Sequence, residues 1–201
     1  MKKILLTLFI ASVIMTGCVP FSSRVYHNID PVRQTDRYRV EFLLRSIEYR
    51  TPMSLLEKSF LKVIDKTGTK VNYTIYDQLS MRTSAGQIND TVFIMVDGQV
   101  FPKKTEGLTL VKRSGVSTST EQVMTADSTL VDIVSGVETQ TWKEASFHYS
   151  ISPLLAAKMR AAADMRFIYY IGPHIITTKL DQRQLKRLRK LIEMKPESAN
   201  N

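Results

Sequence analysis

Serine and histidine alternate at Ser146, His148 and Ser150. A hydroxyl beside an imidazole is the pairing that nucleophilic catalysis uses, because the ring takes the hydroxyl proton during attack. The spacing here argues against that use. Residues two apart on a strand share a face, and the intervening Ala145, Phe147, Tyr149 and Ile151 form the apolar set, so the three polar residues fall on the solvent side. No G-x-S-x-G elbow is present. His27, His148 and His174 have no carboxylate placed at ligand spacing, so no metal centre is expected. Glu41, Glu48 and Glu144 are scattered over strand-like segments, and Asp164 and Asp181 bound helices. There is no glycine-rich phosphate loop. These residues give no catalytic constellation and no cofactor site. Arg166 interrupts an apolar run, 165–171, and is expected to pair with a carboxylate.

The remaining reactive side chain is Cys18, the single cysteine. Lys2 and Lys3 precede an apolar run over 4–15 that only Thr7 and Ser12 break. That run has the length of a signal-peptide core and is too short to span a bilayer as a helix. Met15-Thr16-Gly17-Cys18 follows and resembles the lipobox of bacterial lipoproteins. The resemblance covers the first eighteen residues and implies a definite chemistry. The thiol takes a diacylglyceryl group, the small Gly17 lets the peptidase reach the bond, and the new amino terminus receives a further acyl chain, typically palmitate. Two or three chains, at about 0.8 kcal/mol per buried methylene, hold a protein firmly to a membrane. The resemblance implies a lipid-anchored protein of the bacterial cell envelope. In a Gram-negative cell, Val19 after the cysteine points to the outer membrane, with the domain in the periplasm.

The rest of the chain suits one domain. It has 201 residues and a net charge of +9, of which Lys2 and Lys3 supply two. A basic balance invites a nucleic-acid partner. Export argues against it, because an exported domain meets anionic phospholipid and glycan first. With Cys18 acylated no thiol remains, so disulfides, thiolate metal sites and thiol catalysis are excluded.

The apolar patterns predict an α+β fold: a mainly antiparallel, twisted β-sheet with two principal helices near the C-terminus. The expected boundaries are a signal peptide over 1–17, a lipidated tether over 18–36, a single domain over 37–195 and a tail over 196–201. Alternation over 37–50 predicts a first strand with a break near Ser46, and Thr51-Pro52 with Ser54 and Glu57 predicts a short helical turn. Two β-rich runs around Gly68 read as a hairpin, and 91–96 as a central strand returning through Asp97-Gly98 until Pro102 stops it. The Ser/Thr-rich stretch 114–129 shows no usable period and is expected to be a mobile loop. Ser152-Pro153 opens one helix and Asp181 the last, with Gln184 completing a capping box.

On that last helix Arg183, Lys186, Arg187 and Lys190 fall on one side, opposite Leu185, Leu188 and Ile192. The basic side is the candidate surface for anionic lipid or an acidic envelope protein. Together these features favour a non-catalytic binding, scaffold or assembly module. The alternatives are an envelope enzyme acting on glycan or lipid, and an accessory lipoprotein of a secretion or DNA-transfer apparatus.

If Cys18 is the acylated residue, metabolic labelling with a fatty-acid analogue marks the wild-type protein and not Cys18→Ala. Equal labelling of the two removes the lipid anchor from this account.

Overall fold

The computed structural model describes residues 24–125, 127 and 129–196. Ten strands and two helices follow in the order β1 (Tyr26–Asp30), β2 (Thr35–Leu44), β3 (Met53–Asp65), β4 (Val71–Arg82), β5 (Thr91–Val96), β6 (Gln99–Lys104), β7 (Glu106–Met124), β8 (Leu130–Ile151), α1 (Pro153–Ala161), β9 (Met165–Ile171), β10 (His174–Lys179) and α2 (Gln182–Glu193). Every strand pairing is antiparallel. The fold is α+β, a single domain of mostly antiparallel, curled sheet with its two helices near the C-terminus, as the apolar patterns predict. The strands sort into two sheets, β1-β2-β3-β4-β8-β7 and β10-β9-β5-β6.

The core lies between them. Tyr38, Val40, Phe42 and Leu44 on β2 and Ala145, Phe147, Tyr149 and Ile151 on β8 are buried, and the residues between them face outward. The strict period of two therefore buries one face of the large sheet. The small sheet covers it: Phe167 on β9 packs 6.0 Å from Phe60 on β3, and Tyr169 6.4 Å from Phe147, centroid to centroid. Both helices close the open side against β2, β3 and β4 and touch each other. Ser152 Oγ accepts from the Leu155 amide at the start of α1, and Asp181 and Gln184 form the capping box of α2. Leu180 and Leu185, the staple pair around that cap, are both buried.

The turns follow their residues. Asp97 and Gly98 both have positive φ, +46° and +83°, the geometry of a type I′ hairpin turn between β5 and β6. Gly68 (φ +74°) turns β3 into β4. At Gly86 a methyl group would lie 2.8 Å from the Gly172 Cα, so two backbones meet there and neither position has room for a side chain.

Four expectations are corrected. Residues 26–30, assigned to the tether, form β1 on the edge of the large sheet, where His27 Nε2 lies 2.7 Å from the buried Asp36 carboxylate and its ring stacks on Tyr38. The domain thus begins before residue 37. The helical turn expected at 54–57 is β3, because pairing to both β2 and β4 outweighs a local capping signal. Pro102 lies inside β6 and does not end it, since β6 is an edge strand and needs one ladder only. The stretch 114–129, expected to be a loop, is β7 as far as Met124.

The core also holds charge. Lys58 on β3 and Asp77 on β4 are fully buried with Nζ and Oδ1 2.5 Å apart. Lys58 also donates to Tyr149 Oη at 2.9 Å, and Asp77 Oδ2 accepts from Tyr149 at 3.1 Å and Tyr169 at 2.8 Å. The ammonium sits 3.9 Å from the Phe167 ring centroid. Burial pushes the Lys58 amine down to about 8, with the Asp77 charge opposing the shift, and raises both tyrosine hydroxyls well above their ordinary range.

Removing one member strands the other charge. Lys58→Met is expected to lower stability by about 3–5 kcal/mol, and Lys58→Met with Asp77→Leu to recover most of that loss. Chemical denaturation of both variants measures it. Equal losses in the single and double variants would show that packing volume, not charge pairing, governs the site.

Candidate interaction site

β7 and β8 are far longer than their neighbours. The last pairing of β8 with β4 is Trp142 opposite Arg82, whereas β7 and β8 continue pairing to Met124 opposite Leu130. Residues 114–124 and 130–141 therefore form a two-stranded arm with no third strand among the described residues. At about 3.4 Å per residue it extends roughly 35 Å beyond the sheet. Apart from Gly115 and Gly136, every described residue from 107 to 141 is exposed.

The arm has two distinct faces. Residues directly opposite one another share a face, and an extra residue at Ser135 resets the phase. One face carries Ser114/Thr141, Val116/Thr139, Thr118/Val137 and Thr120/Val134, followed by Gln122/Asp132 and Met124/Leu130. The other carries Gly115/Gln140, Ser117/Glu138, Ser119/Gly136 and Glu121/Ile133, then Val123/Val131. Val116, Val134 and Val137 on the first face are 61–67% exposed, against 40–46% for Val123, Val131 and Ile133 on the second. The second face is thus the more sheltered, inner side of the ribbon. Two glycines fit that inner side: Gly115 lies against the Trp142 ring, and a methyl at Gly136 would meet Ser119 Oγ at 2.8 Å.

The tip is ordered by its own polar groups. The Thr125 amide donates to the Thr129 carbonyl at 2.8 Å, and both threonine hydroxyls donate to Asp127. Those bonds hold the Asp127 carboxyl down at about 2. The base is basic and aromatic: Lys112 faces Lys143, Arg113 faces Trp142, and Arg113 donates to Glu144 at 2.7 Å. From 114 to 141 the sequence has no Lys, Arg or Pro, the residues that usually protect an edge strand. A lone two-stranded ribbon is marginal in water. This one combines bare edges with apolar residues on its outer face, the composition of a surface that other chains or lipid cover.

The outer face of the large sheet forms an open groove of about 630 Å³ running toward the base of the arm. Its charged residues are largely engaged with one another. Arg39 binds Glu41 at 2.5 Å and Ser59 at 2.7 Å, and Tyr76 stacks on His148. Ser146, His148 and Ser150 face this outer side as expected, and neither serine hydroxyl bonds the imidazole, whose nearest carboxylate oxygen, of Glu106, is 3.7 Å away. Among the described residues no three His, Cys, Asp or Glu side chains gather as a metal site. Arg166 pairs with Asp164 at 2.8 Å. The Lys179 ammonium, 2.7 Å from the same carboxylate, is the larger cause of its lowered pKa, with Arg166 second.

The basic helix is arranged as the sequence predicts. Leu185, Leu188, Leu191 and Ile192 are buried, Arg183, Lys186 and Lys190 are exposed, and Arg187 is half-buried. Its C-terminal carbonyls are held by the domain: Lys62 Nζ donates to Ile192 and Met194 at 2.6 Å each, and Tyr38 Oη donates to Lys195 at 2.7 Å. Pro196 lies beside Gly68, at the end of the large sheet opposite the arm. Met15, Thr16, Gly17 and Cys18 lie outside the described residues. No described helix is long and apolar enough to cross a membrane.

Sequence reasoning did not find the arm. Its signal was present in the β-branched residues Val116, Thr118, Thr120, Val134, Val137 and Thr139, but serines and an extra residue broke the period. No protein family, curated protein or solved structure matches this chain.

Burial and exposure on α2 separate cleanly into two expected outcomes. Leu188→Ala should cost about 2–5 kcal/mol, since the side chain is 1% exposed. Lys186→Glu with Lys190→Glu should leave the melting temperature nearly unchanged, because exposed charges contribute about 0–1 kcal/mol. Thermal denaturation measures both, and a large loss from the charge reversal would mean that these lysines have a structural partner.

Proposed function

We propose that the protein is a lipid-anchored, non-catalytic assembly module of the bacterial cell envelope, and that the β7–β8 arm is the part that assembles. The observation carrying this reading is the arm itself: an antiparallel ribbon with two unpaired edges, apolar exposed side chains and no edge-protecting Lys or Pro beyond residue 113. Backbone groups on such edges pair readily with another strand, and main-chain hydrogen bonds then supply the affinity. The lipobox resemblance supports the location, with Cys18 as the lipidated residue and the membrane as its first partner. The basic face of Arg183, Lys186, Arg187 and Lys190 is proposed as a second contact. Anionic lipid or an acidic envelope protein suits that face.

An envelope enzyme receives less support. The groove beside the arm contains a hydroxyl and an imidazole, but no hydrogen bond joins them and no carboxylate orients the ring. A role in a secretion or DNA-transfer apparatus is compatible with an assembly module, and net charge is its only independent support.

Replacing 114–141 by a two-residue Asn-Gly turn should leave the domain folded, since the excised residues bury no core side chain. Cross-linking in intact cells should then lose the high-mass species formed by the wild type. Unchanged cross-linking in the shortened protein would move the assembly surface elsewhere on the domain.

A further inference from the structure

We infer that the arm is one hairpin of a multi-chain transmembrane β-barrel: copies of this chain pair arm to arm, the Val/Thr face meets lipid hydrocarbon, and the Glu/Gln/Ser/Gly face lines a water-filled lumen. This deepens the assembly reading above and rests on it.

Length is the first support. A membrane-crossing strand needs about 9–11 residues at a tilt near 45°. The run from Ser114 to Met124 covers about 34 Å along the strand, or roughly 24 Å of depth at such a tilt, close to the apolar band of about 25 Å on known barrels.

The side chains follow the same scheme. Barrel strands alternate apolar-out and polar-in. On one face of the arm four successive pairs, from Ser114/Thr141 to Thr120/Val134, carry no charge. Glu121, Glu138 and Gln140 lie on the opposite face, among serine and glycine, with Ile133, Val123 and Val131 on that face only toward the tip. Within the arm Asp132 is the one charge on the apolar face, and it lies near the tip, where the far interface would be. At the near interface Lys112 and Lys143 stand opposite each other on the Val/Thr face, where basic side chains reach lipid headgroups, while Trp142, opposite Arg113, lies on the lumenal face against Gly115.

Backbone chemistry then requires the copies. Hydrocarbon contains no water to satisfy a bare strand edge, so a lone hairpin cannot remain in lipid, and closure of a ring removes both edges. With two strands per chain, the smallest known barrels, of about eight strands, need at least four copies.

Topology supplies an independent argument. Tyr26 lies opposite Arg39 and Asp30 opposite Thr35, so the chain enters β1 from the Leu44 end of β2. That is the end at which β3 begins, β4 finishes and β8 reaches Trp142. Tyr26 itself is level with Leu61, Thr74 and Ser150, eight residues or about 27 Å from Trp142. The stretch from Cys18 to Tyr26 reaches at most about 29 Å, so lipid on Cys18 lies level with the base of the arm when that stretch continues along the direction of β1.

The test is single-cysteine scanning of the full acylated chain, in which Cys18 is blocked by its lipid. Cysteines at 116, 117, 118, 119, 120 and 121, and at 137 and 138, are labelled with an environment-sensitive fluorophore. The protein is reconstituted into phosphatidylethanolamine/phosphatidylglycerol vesicles, with chemical cross-linking in parallel. Expected are an oligomer of at least four copies and a period-two pattern, with 116, 118, 120 and 137 reporting hydrocarbon and 117, 119, 121 and 138 reporting water. Val116→Arg with Val137→Arg should abolish the hydrocarbon signal, whereas Ser117→Arg should keep it. An oligomer whose every position reports water overturns the barrel and leaves the assembly reading standing. A monomer reporting water throughout overturns both.

Discussion

The contact between the two sheets depends on one buried ion pair. Lys58 and Asp77 lie opposite each other on β3 and β4, and the hydroxyls of Tyr149 from β8 and Tyr169 from β9 complete the carboxylate's bonding. Three strands of the large sheet and one of the small sheet thus meet at a single carboxylate. Apolar contacts such as Phe60 with Phe167 are non-directional and tolerate sliding. A buried charge does not, because any shift that breaks its bonds leaves it unsatisfied in a medium of low polarity. The pair sets how the small sheet sits on the large one, and the surrounding aromatic rings supply the apolar burial.

The helices are tied by the same device in milder form. Lys62, four residues along from Lys58 on the same face of β3, reaches the last carbonyls of α2. Arg189 of α2 donates to Ala162 at the C-terminus of α1 at 2.6 Å. Cations at helix C-termini meet both orphan carbonyls and the negative end of the helix dipole. Burial lowers the Lys62 pKa, and its amine is compensated by two carbonyls in place of a carboxylate. The chain's C-terminal segment is thereby fastened to β3 near its turn into β4.

One strand links this core to the candidate interaction site. β8 runs from the tip of the arm to Ile151 as one strand, buried at Ala145, Phe147 and Tyr149 and, apart from Gly136, exposed over 130–141. Its inner half pairs with β4 and contributes Tyr149 to the ion-pair cluster, so the outer half is a cantilever fixed at its root. Orientation of the arm therefore follows from the same bonds that orient the sheets. Trp142, the last residue paired to β4, marks where support from the domain ends, and it lies against Gly115 on the inner side.

Local rules determined much of this protein. Strict alternation around Phe42 and Tyr149, the Asp97-Gly98 turn, the Ser152 cap and the Asp181–Gln184 capping box each depend on neighbours within a few residues, so the sequence alone specifies them. Exposure of the basic face of α2 follows from the same helical period. Tertiary structure decided what depends on distant partners. Residues 53–57 became a strand because β4 pairs along them and β2 joins at Leu56 and Glu57, and Tyr26–Asp30 became one because β2 offered an edge. Lys58 and Asp77, polar at core positions, are tolerable only because they meet. The stretch 114–124 lacks a buried face to impose a period, and its partner 130–141 begins only after a turn. Its strand character comes from pairing, which a sequence period cannot record when both faces of the ribbon lie open.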